Sequence, residues 1–225
     1  MVNSKKIIVV ISIIFAISVL IFAGCNSQTD QPQNNTEPDN SSNSTSMTGN
    51  VVATVNGENI TSEEVEKYVQ QKQGQISKAE GLRRLIDLKV IFQQAQKEGY
   101  VPSDAEAESK LEGLLKQQNL TLEDYKQQLE QQGRSYEQQL QKYKEQLARQ
   151  NYIDDEIKKE EFNITDEQAK AELENMFENN ASTLEDYKKL LEKEYQMSYE
   201  QFKRGLKEQL LIQDLRDKAD ISYKQ

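Results

Sequence analysis

The side chains in this chain that could carry chemistry are 38 carboxylates, ten tyrosines and one cysteine; histidine and tryptophan are absent. Two carboxylates held close together can serve as general acid and general base. The run Asp154-Asp155-Glu156 offers such groups, but acidic residues on a helix more commonly form a solvated face, and that is the reading adopted here. Nucleophilic catalysis of the serine type needs a histidine base and a Gly-x-Ser-x-Gly elbow, and the chain has neither. Structural zinc needs clustered Cys or His. No Gly-rich phosphate loop or EF-hand spacing occurs. The expectation is a protein with no catalytic residue, no metal site and no cofactor.

Tyrosine is the residue class with a defensible binding role. Tyr125, Tyr136, Tyr143, Tyr187 and Tyr199 fall on apolar stripes, and Tyr buries a ring while keeping its hydroxyl wet. Met176, Phe177 and Met197 lie on or beside the same stripes, and Met adapts its shape to varied partners. These eight are candidates for gripping other polypeptides. Packing within the protein's own helices is the competing role for each.

The elements that must position them come in two copies. Thr121-Leu122-Glu123-Asp124-Tyr125-Lys126 returns 62 residues later as Thr183-Leu184-Glu185-Asp186-Tyr187-Lys188. Ser135-Tyr136-Glu137-Gln138 and Lys144-Glu145-Gln146-Leu147 return 63 residues later, from Ser198 and Lys207. Such self-similarity marks one structural unit used twice, with one extra residue in the second copy. The apolar faces agree. The first copy offers Ala107, Leu111, Leu114 and Leu115, then Leu122, Tyr125 and Leu129, then Tyr136, Leu140, Tyr143 and Leu147. The second offers Leu173, Met176 and Phe177, then Leu184, Tyr187 and Leu191, then Tyr199, Phe202, Leu206 and Leu210. Each unit reads as three helices.

Helix starts are signalled by a Ser or Thr followed three residues later by Glu, Gln or Asp. The pairs are Thr61/Glu64, Ser77/Glu80, Ser103/Glu106, Thr121/Asp124, Ser135/Gln138, Thr165/Gln168, Thr183/Asp186 and Ser198/Gln201. Gly74, Gly99 and Gly133 fall where helices should stop. Leu85, Leu88, Phe92 and Ala95, widened by Leu82, Ile86 and Ile91, make a helix apolar nearly all round, which should be central and buried. Residues 51–55 and 58–60, joined by Asn56-Gly57, read as a hairpin with a type I′ turn, and residues 221–224 as a third strand. The fold class is mainly α, with a small N-terminal β-hairpin and a repeated three-helix unit. The Gln-rich stretch 117–150 reads as an uncharged helix surface, its stripe too short for a coiled coil.

Ahead of the folded part, Lys5 and Lys6 precede an apolar run over residues 7–23 and then Gly24-Cys25. Ile21-Phe22-Ala23-Gly24-Cys25 resembles a bacterial lipobox, with Phe22 where Leu is usual. The resemblance implies a lipoprotein signal peptide over 1–24 and a diacylglycerol on Cys25, which becomes the first mature residue. An uncleaved membrane anchor is the rival, and the only cysteine standing at the end of the run favours lipidation. Residues 25–50 carry Pro32, Pro38, Gly49 and many Asn, Ser and Thr. That composition is expected to stay disordered, as a tether with an r.m.s. reach of about 25–30 Å. Leaving out Lys5 and Lys6, 26 Lys and Arg face 38 acidic residues, a formal charge of −12. An excess of negative charge disfavours nucleic acid and anionic lipid surfaces.

The order of elements resembles the N-terminal chaperone domain of SurA and the PrsA foldases. The residues are Val52-Ala53-Thr54-Val55-Asn56-Gly57-Glu58-Asn59-Ile60-Thr61, Leu85-Ile86-Asp87-Leu88-Lys89-Val90-Ile91, Ala95-Gln96-Lys97-Glu98-Gly99, Ser103-Asp104 and the Thr121 and Ser135 blocks. In the second copy they run from Ser198-Tyr199-Glu200-Gln201-Phe202 to Leu210-Leu211-Ile212-Gln213. The helical substrate-binding region of trigger factor is similar. The resemblance implies a SurA-like helical domain over 51–157 and a second helical unit over 158–225. It implies binding of unfolded, exported polypeptides in apolar grooves between the units, at the outer face of the bacterial cytoplasmic membrane. Members of that family usually add a parvulin prolyl-isomerase domain with paired histidines. Its catalytic residues have no matching positions here, so isomerase activity is not expected.

Two other roles stay open on the sequence: an envelope assembly or scaffold module with one folded partner, and, less favoured, a peptidyl-prolyl isomerase. The anchor has its own test. Labelling cells with a fatty acid should mark the wild-type chain and leave Cys25→Ala unlabelled; equal incorporation would remove the lipoprotein reading.

Overall fold

The structure, a computed structural model, describes residues 50–224. Cys25, the apolar run 7–23 and the tether up to residue 49 lie outside the described residues. Among those described, eight α-helices and a three-stranded sheet make a mainly α fold.

Strands β1 (Val51–Val55) and β2 (Glu58–Thr61) form the expected antiparallel hairpin. Its turn residues Asn56 and Gly57 have φ of 49° and 83°, the positive pair that a type I′ turn requires. Strand β3 (Ile221–Tyr223) pairs antiparallel with β1, giving the order β2-β1-β3. The hairpin turn also clasps the far end of the chain. Asn56 donates its backbone N–H to the Asp220 carbonyl at 2.7 Å, and its side-chain oxygen accepts from the Asp220 N–H at 2.8 Å.

The helices are α1 (Ser62–Gln71), α2 (Lys78–Lys97), α3 (Asp104–Gln117), α4 (Leu122–Gln131), α5 (Tyr136–Glu156), α6 (Asp166–Met176), α7 (Leu184–Tyr195) and α8 (Tyr199–Lys218). A 3-10 turn, Glu160–Phe162, lies between α5 and α6. All eight begin at the Ser or Thr that the sequence marks, with the hydroxyl accepting from the backbone N–H three residues on. Each cap is worth about 0.5–2 kcal/mol. The reciprocal bond closes at Thr61, Ser103, Thr121, Thr165 and Ser198. It is absent at Ser77, Ser135 and Thr183; at Ser77 the partner Glu80 is taken by Arg84, whose Nη2 donates to it at 2.6 Å.

The two copies fold alike. Helices α3, α4 and α5 correspond to α6, α7 and α8, and the extra residue falls between the Thr183 and Ser198 caps, where α7 has 12 residues against 10 in α4. Small matches recur too. Lys126 Nζ lies 4.4 Å from the Tyr136 ring centre, and Lys188 Nζ lies 4.8 Å from that of Tyr199.

The described residues form two cores. One core, the base, joins Ala53, Val55 and Ile60 of the hairpin, Ile86, Val90, Ile91 and Ala95 of α2, and Ala148 and Tyr152 of α5. Leu211 and Leu215 of α8 complete it, so the C-terminal end returns to the N-terminal sheet. Helix α2 is central, as its all-round apolarity predicts. It also buries Arg84 and Asp87. Arg216 Nη1 lies 3.4 Å from Asp87 Oδ1, and burial pushes the Asp87 carboxyl above its usual range despite that partner. From the base rise two arms. The first is α3, α4 and the start of α5; the second is α6, α7 and the start of α8, around Leu173, Tyr187, Leu191 and Phe202.

Helix α8 therefore changes face along its length. Phe202 and Leu206 turn into the second arm, whereas Leu211 and Leu215 turn into the base. At 100° per residue, the step from 206 to 211 rotates the buried face by about 140°. Leu210, expected on the continuing stripe, is instead 44% exposed. Leu211→Ala should lower the unfolding free energy in urea by about 2–5 kcal/mol, and Leu210→Ala by about 0.5 kcal/mol or less. Equal losses would contradict this handover.

Candidate functional site

The eight residues expected to face a partner separate into three groups. Tyr187, Phe177 and Met197 are buried, at 0%, 9% and 3% exposure, inside the second arm. The Phe177 and Tyr187 rings stack with centres 6.2 Å apart. These three pack in the second arm's core, the competing role that the sequence leaves open for them. Their helices close on one another, with Met176, Leu184, Leu190 and Leu206 partly buried around them.

Tyr136 and Tyr199 are half-buried and committed to holding their own arms together. The Tyr136 hydroxyl donates to Glu108 of α3 at 2.8 Å, and the Tyr199 hydroxyl donates to Asp166 of α6 at 3.0 Å. Both phenols are harder to ionise than usual, first because they are buried and then because of the carboxylate each one bonds. For Tyr199 the pKa is pushed up to about 12. Lys144 pairs with Asp104 at 2.6 Å and Lys203 with Asp166 at 2.9 Å, tying the third helix to the first in each arm.

Tyr125, Tyr143 and Met176 remain half-buried. Burial raises the pKa of Tyr125 and Tyr143, with Arg134 pulling Tyr125 the other way. Tyr125 and Tyr187 are the same residue of the repeat in two different environments. What differs is the next turn. Met197 and Phe202 close over the second arm's core. In the first arm Arg134 and Gln139 hold the matching positions, and Arg134 Nη2 donates to Gln139 Oε1 at 2.8 Å. A polar pair replaces an apolar pair, so the first arm's apolar face of Leu114, Leu122, Tyr125 and Tyr143 is only partly covered.

The cleft between α5 and the start of α8 is not the apolar groove that the sequence suggests. It encloses about 530 Å³, and Asp154, Lys158, Glu200, Lys203, Arg204 and Lys207 line it, with Ile157 its one aliphatic residue. The large apolar side chains most exposed among the described residues are Tyr195, Leu210 and Tyr223, at 48%, 44% and 66%. None was among the eight candidates. Tyr195 ends α7 with its ring set edge-to-face against Phe177, centres 5.9 Å apart, and Leu210 is displaced by the change of face along α8. The extra residue of the second copy lies before Ser198, so it signals the longer α7 that ends in Tyr195 and not the exposure of Leu210. Among the described residues no cluster of potential ligands could hold a metal ion, and no helix is long and apolar enough to cross a membrane.

No protein-family model matches this chain, and no curated protein matches it. Among solved structures it is similar to a chain from work on the virulence factor PEB4 and the periplasmic protein Cj1289, two structurally related SurA-like chaperones of Campylobacter jejuni. The identity is 20%, the match covers 78% of this chain and 99% of that one, and the TM-score is 0.46.

The Tyr187 hydroxyl is buried without a hydrogen-bond partner. An unmet buried polar group costs about 1–3 kcal/mol. Tyr187→Phe should therefore raise stability by about 1 kcal/mol, while Tyr125→Phe, whose hydroxyl lies in a half-exposed residue, should change it by about 0.5 kcal/mol or less. Urea titration of both variants checks this; a destabilised Tyr187→Phe would mean that the hydroxyl has a partner.

Proposed function

We propose that this chain is a membrane-tethered, extracytoplasmic holding chaperone that binds unfolded exported polypeptides on its first arm. The carrying observation is the contrast between the two copies. A repeat that seals its core with Met197 and Phe202 in one arm leaves Tyr125 half-exposed beside Arg134 and Gln139 in the other. The SurA/PrsA-like order of sequence elements supports the same reading. So does the lipobox-like Cys25, which would hold the folded part about 25–30 Å from the outer face of the bacterial cytoplasmic membrane on its tether.

A half-covered apolar face binds many segments weakly, because each contact desolvates modest area and no single geometry is imposed. The high acidic content, with carboxylates spread over all the helices, would limit self-association of the chaperone itself. Isomerase chemistry is not part of the proposal, since no histidine is present to play the family's catalytic roles.

Sealing the first arm tests this without damaging it. The double variant Arg134→Met, Gln139→Phe imitates the second arm. It should fold at least as stably as wild type, yet protect an unfolded client from aggregation roughly five- to tenfold less well, the equivalent of losing about 1–1.4 kcal/mol of binding. Unchanged protection by the sealed variant would contradict the assignment of the first arm. Absence of protection by the wild type, together with capture of one stoichiometric folded partner, would favour the scaffold reading.

A further inference from the structure

The second arm meets the rest of the protein at a narrow waist. The chain crosses it twice. Phe162 belongs to the base core and Ile164 to the arm core, with Asn163 between them in extended backbone at φ −70° and ψ 139°. The second crossing is α8, which leaves the arm core after Leu206 and enters the base core at Leu211. Gly205 stands in this helix, immediately before the handover. Glycine in a helix interior weakens it, because the residue has the most backbone freedom to lose. The matching residue of the first copy is Lys142, and α5 contains no glycine.

One side-chain link spans the waist. Arg204 Nη2 donates to Asp154 of α5, while its Nε donates to Glu208 at 2.8 Å and Gln150 Nε2 donates to Asp154 Oδ1 at 3.0 Å. Among the described hydrogen bonds and ion pairs, no other joins residues 164–206 to residues 50–157. The open cleft of about 530 Å³ lies alongside this pair, so the arm has unfilled space next to its attachment. The Arg204 and Asp154 side chains are 41% and 38% exposed, and a pair that wet is worth little in water.

We infer that the second arm is a hinged body that turns about Asn163 and Gly205 and is held in one orientation by the Arg204–Asp154 latch. The two cores are separate, so such a turn keeps Tyr187, Leu191 and Phe202 packed. It changes the gap between the arms instead. The first arm, carried on an uninterrupted α5, stays fixed to the base. The hinge does not depend on client binding; it would hold equally for a scaffold.

The test is the distance distribution between nitroxides at Gln127→Cys on α4 and Glu192→Cys on α7. The full chain carries Cys25→Ser, is kept in detergent and is read by double electron–electron resonance. Arg204→Ala should broaden the distribution and raise the displaced population by about two- to fivefold, the range expected for losing one half-exposed ion pair. Gly205→Ala, a substitution favourable in a helix, should narrow it. Circular dichroism should report unchanged helix content in both. An unaltered distribution in Arg204→Ala would overturn the latch, and an unaltered width in Gly205→Ala would overturn the hinge. Client protection is measured separately, so a failure of the holding role and a failure of the hinge are told apart.

Discussion

Helices α5 and α8 are each buried twice, once in an arm and once in the base, and each must offer a different face to each core. For α8 the constraint is explicit. Phe202 and Leu206 serve the arm, Leu211 and Leu215 serve the base, and the rotation between them leaves Leu210 in solvent. Everything else hangs from that division. The base forms because both long helices end against α2 and the sheet. The arms stand apart because only the first halves of those helices reach them. The charged cleft at the waist is what remains where neither core extends.

Duplication makes the chain its own control. The capping residues and the Lys–Tyr contacts are shared by both arms, and in each the tyrosine hydroxyl finds a carboxylate on the arm's first helix, though at different repeat positions. Against that common background, the differences stand out. Met197 and Phe202 give the second arm a closed core, while Arg134 and Gln139 leave the first arm incompletely covered. Gly205 loosens α8 where α5 carries Lys142. One copy thus buries its tyrosine but is mounted through a glycine, and the other leaves its tyrosine half-buried on a helix without one. In the proposed holding role, this would divide the work between a fixed apolar face and an adjustable wall.

Local signals were legible in the sequence because their physics is local. A Ser or Thr hydroxyl reaches the orphan amide three residues away whatever surrounds it, and all eight marked starts are helix caps. Asn56-Gly57 makes its turn for the same reason. The third strand and the central helix could also be read, from a short apolar run at the end and from all-round apolarity. The face a residue finally shows is a tertiary choice, and it was not legible. Tyr125 and Tyr187 sit in identical hexapeptides, yet the residues that cover them lie a turn beyond. Leu210 and Leu211 are adjacent and equally apolar; only the position of the base decides which is buried. The packing of Leu211 and Leu215 against a hairpin some 160 residues earlier is likewise tertiary, and no window on the sequence reveals it.

The central claim is that the two copies, alike in fold, differ in what they offer to an unfolded chain. Hydrogen exchange of the full chain with and without a permanently unfolded client measures it most directly. Protection should appear in α4 and the first half of α5, around Tyr125 and Tyr143, and be absent from the matching amides of α7 and α8. Equal protection in both arms, or protection confined to residues 184–206, would contradict the account.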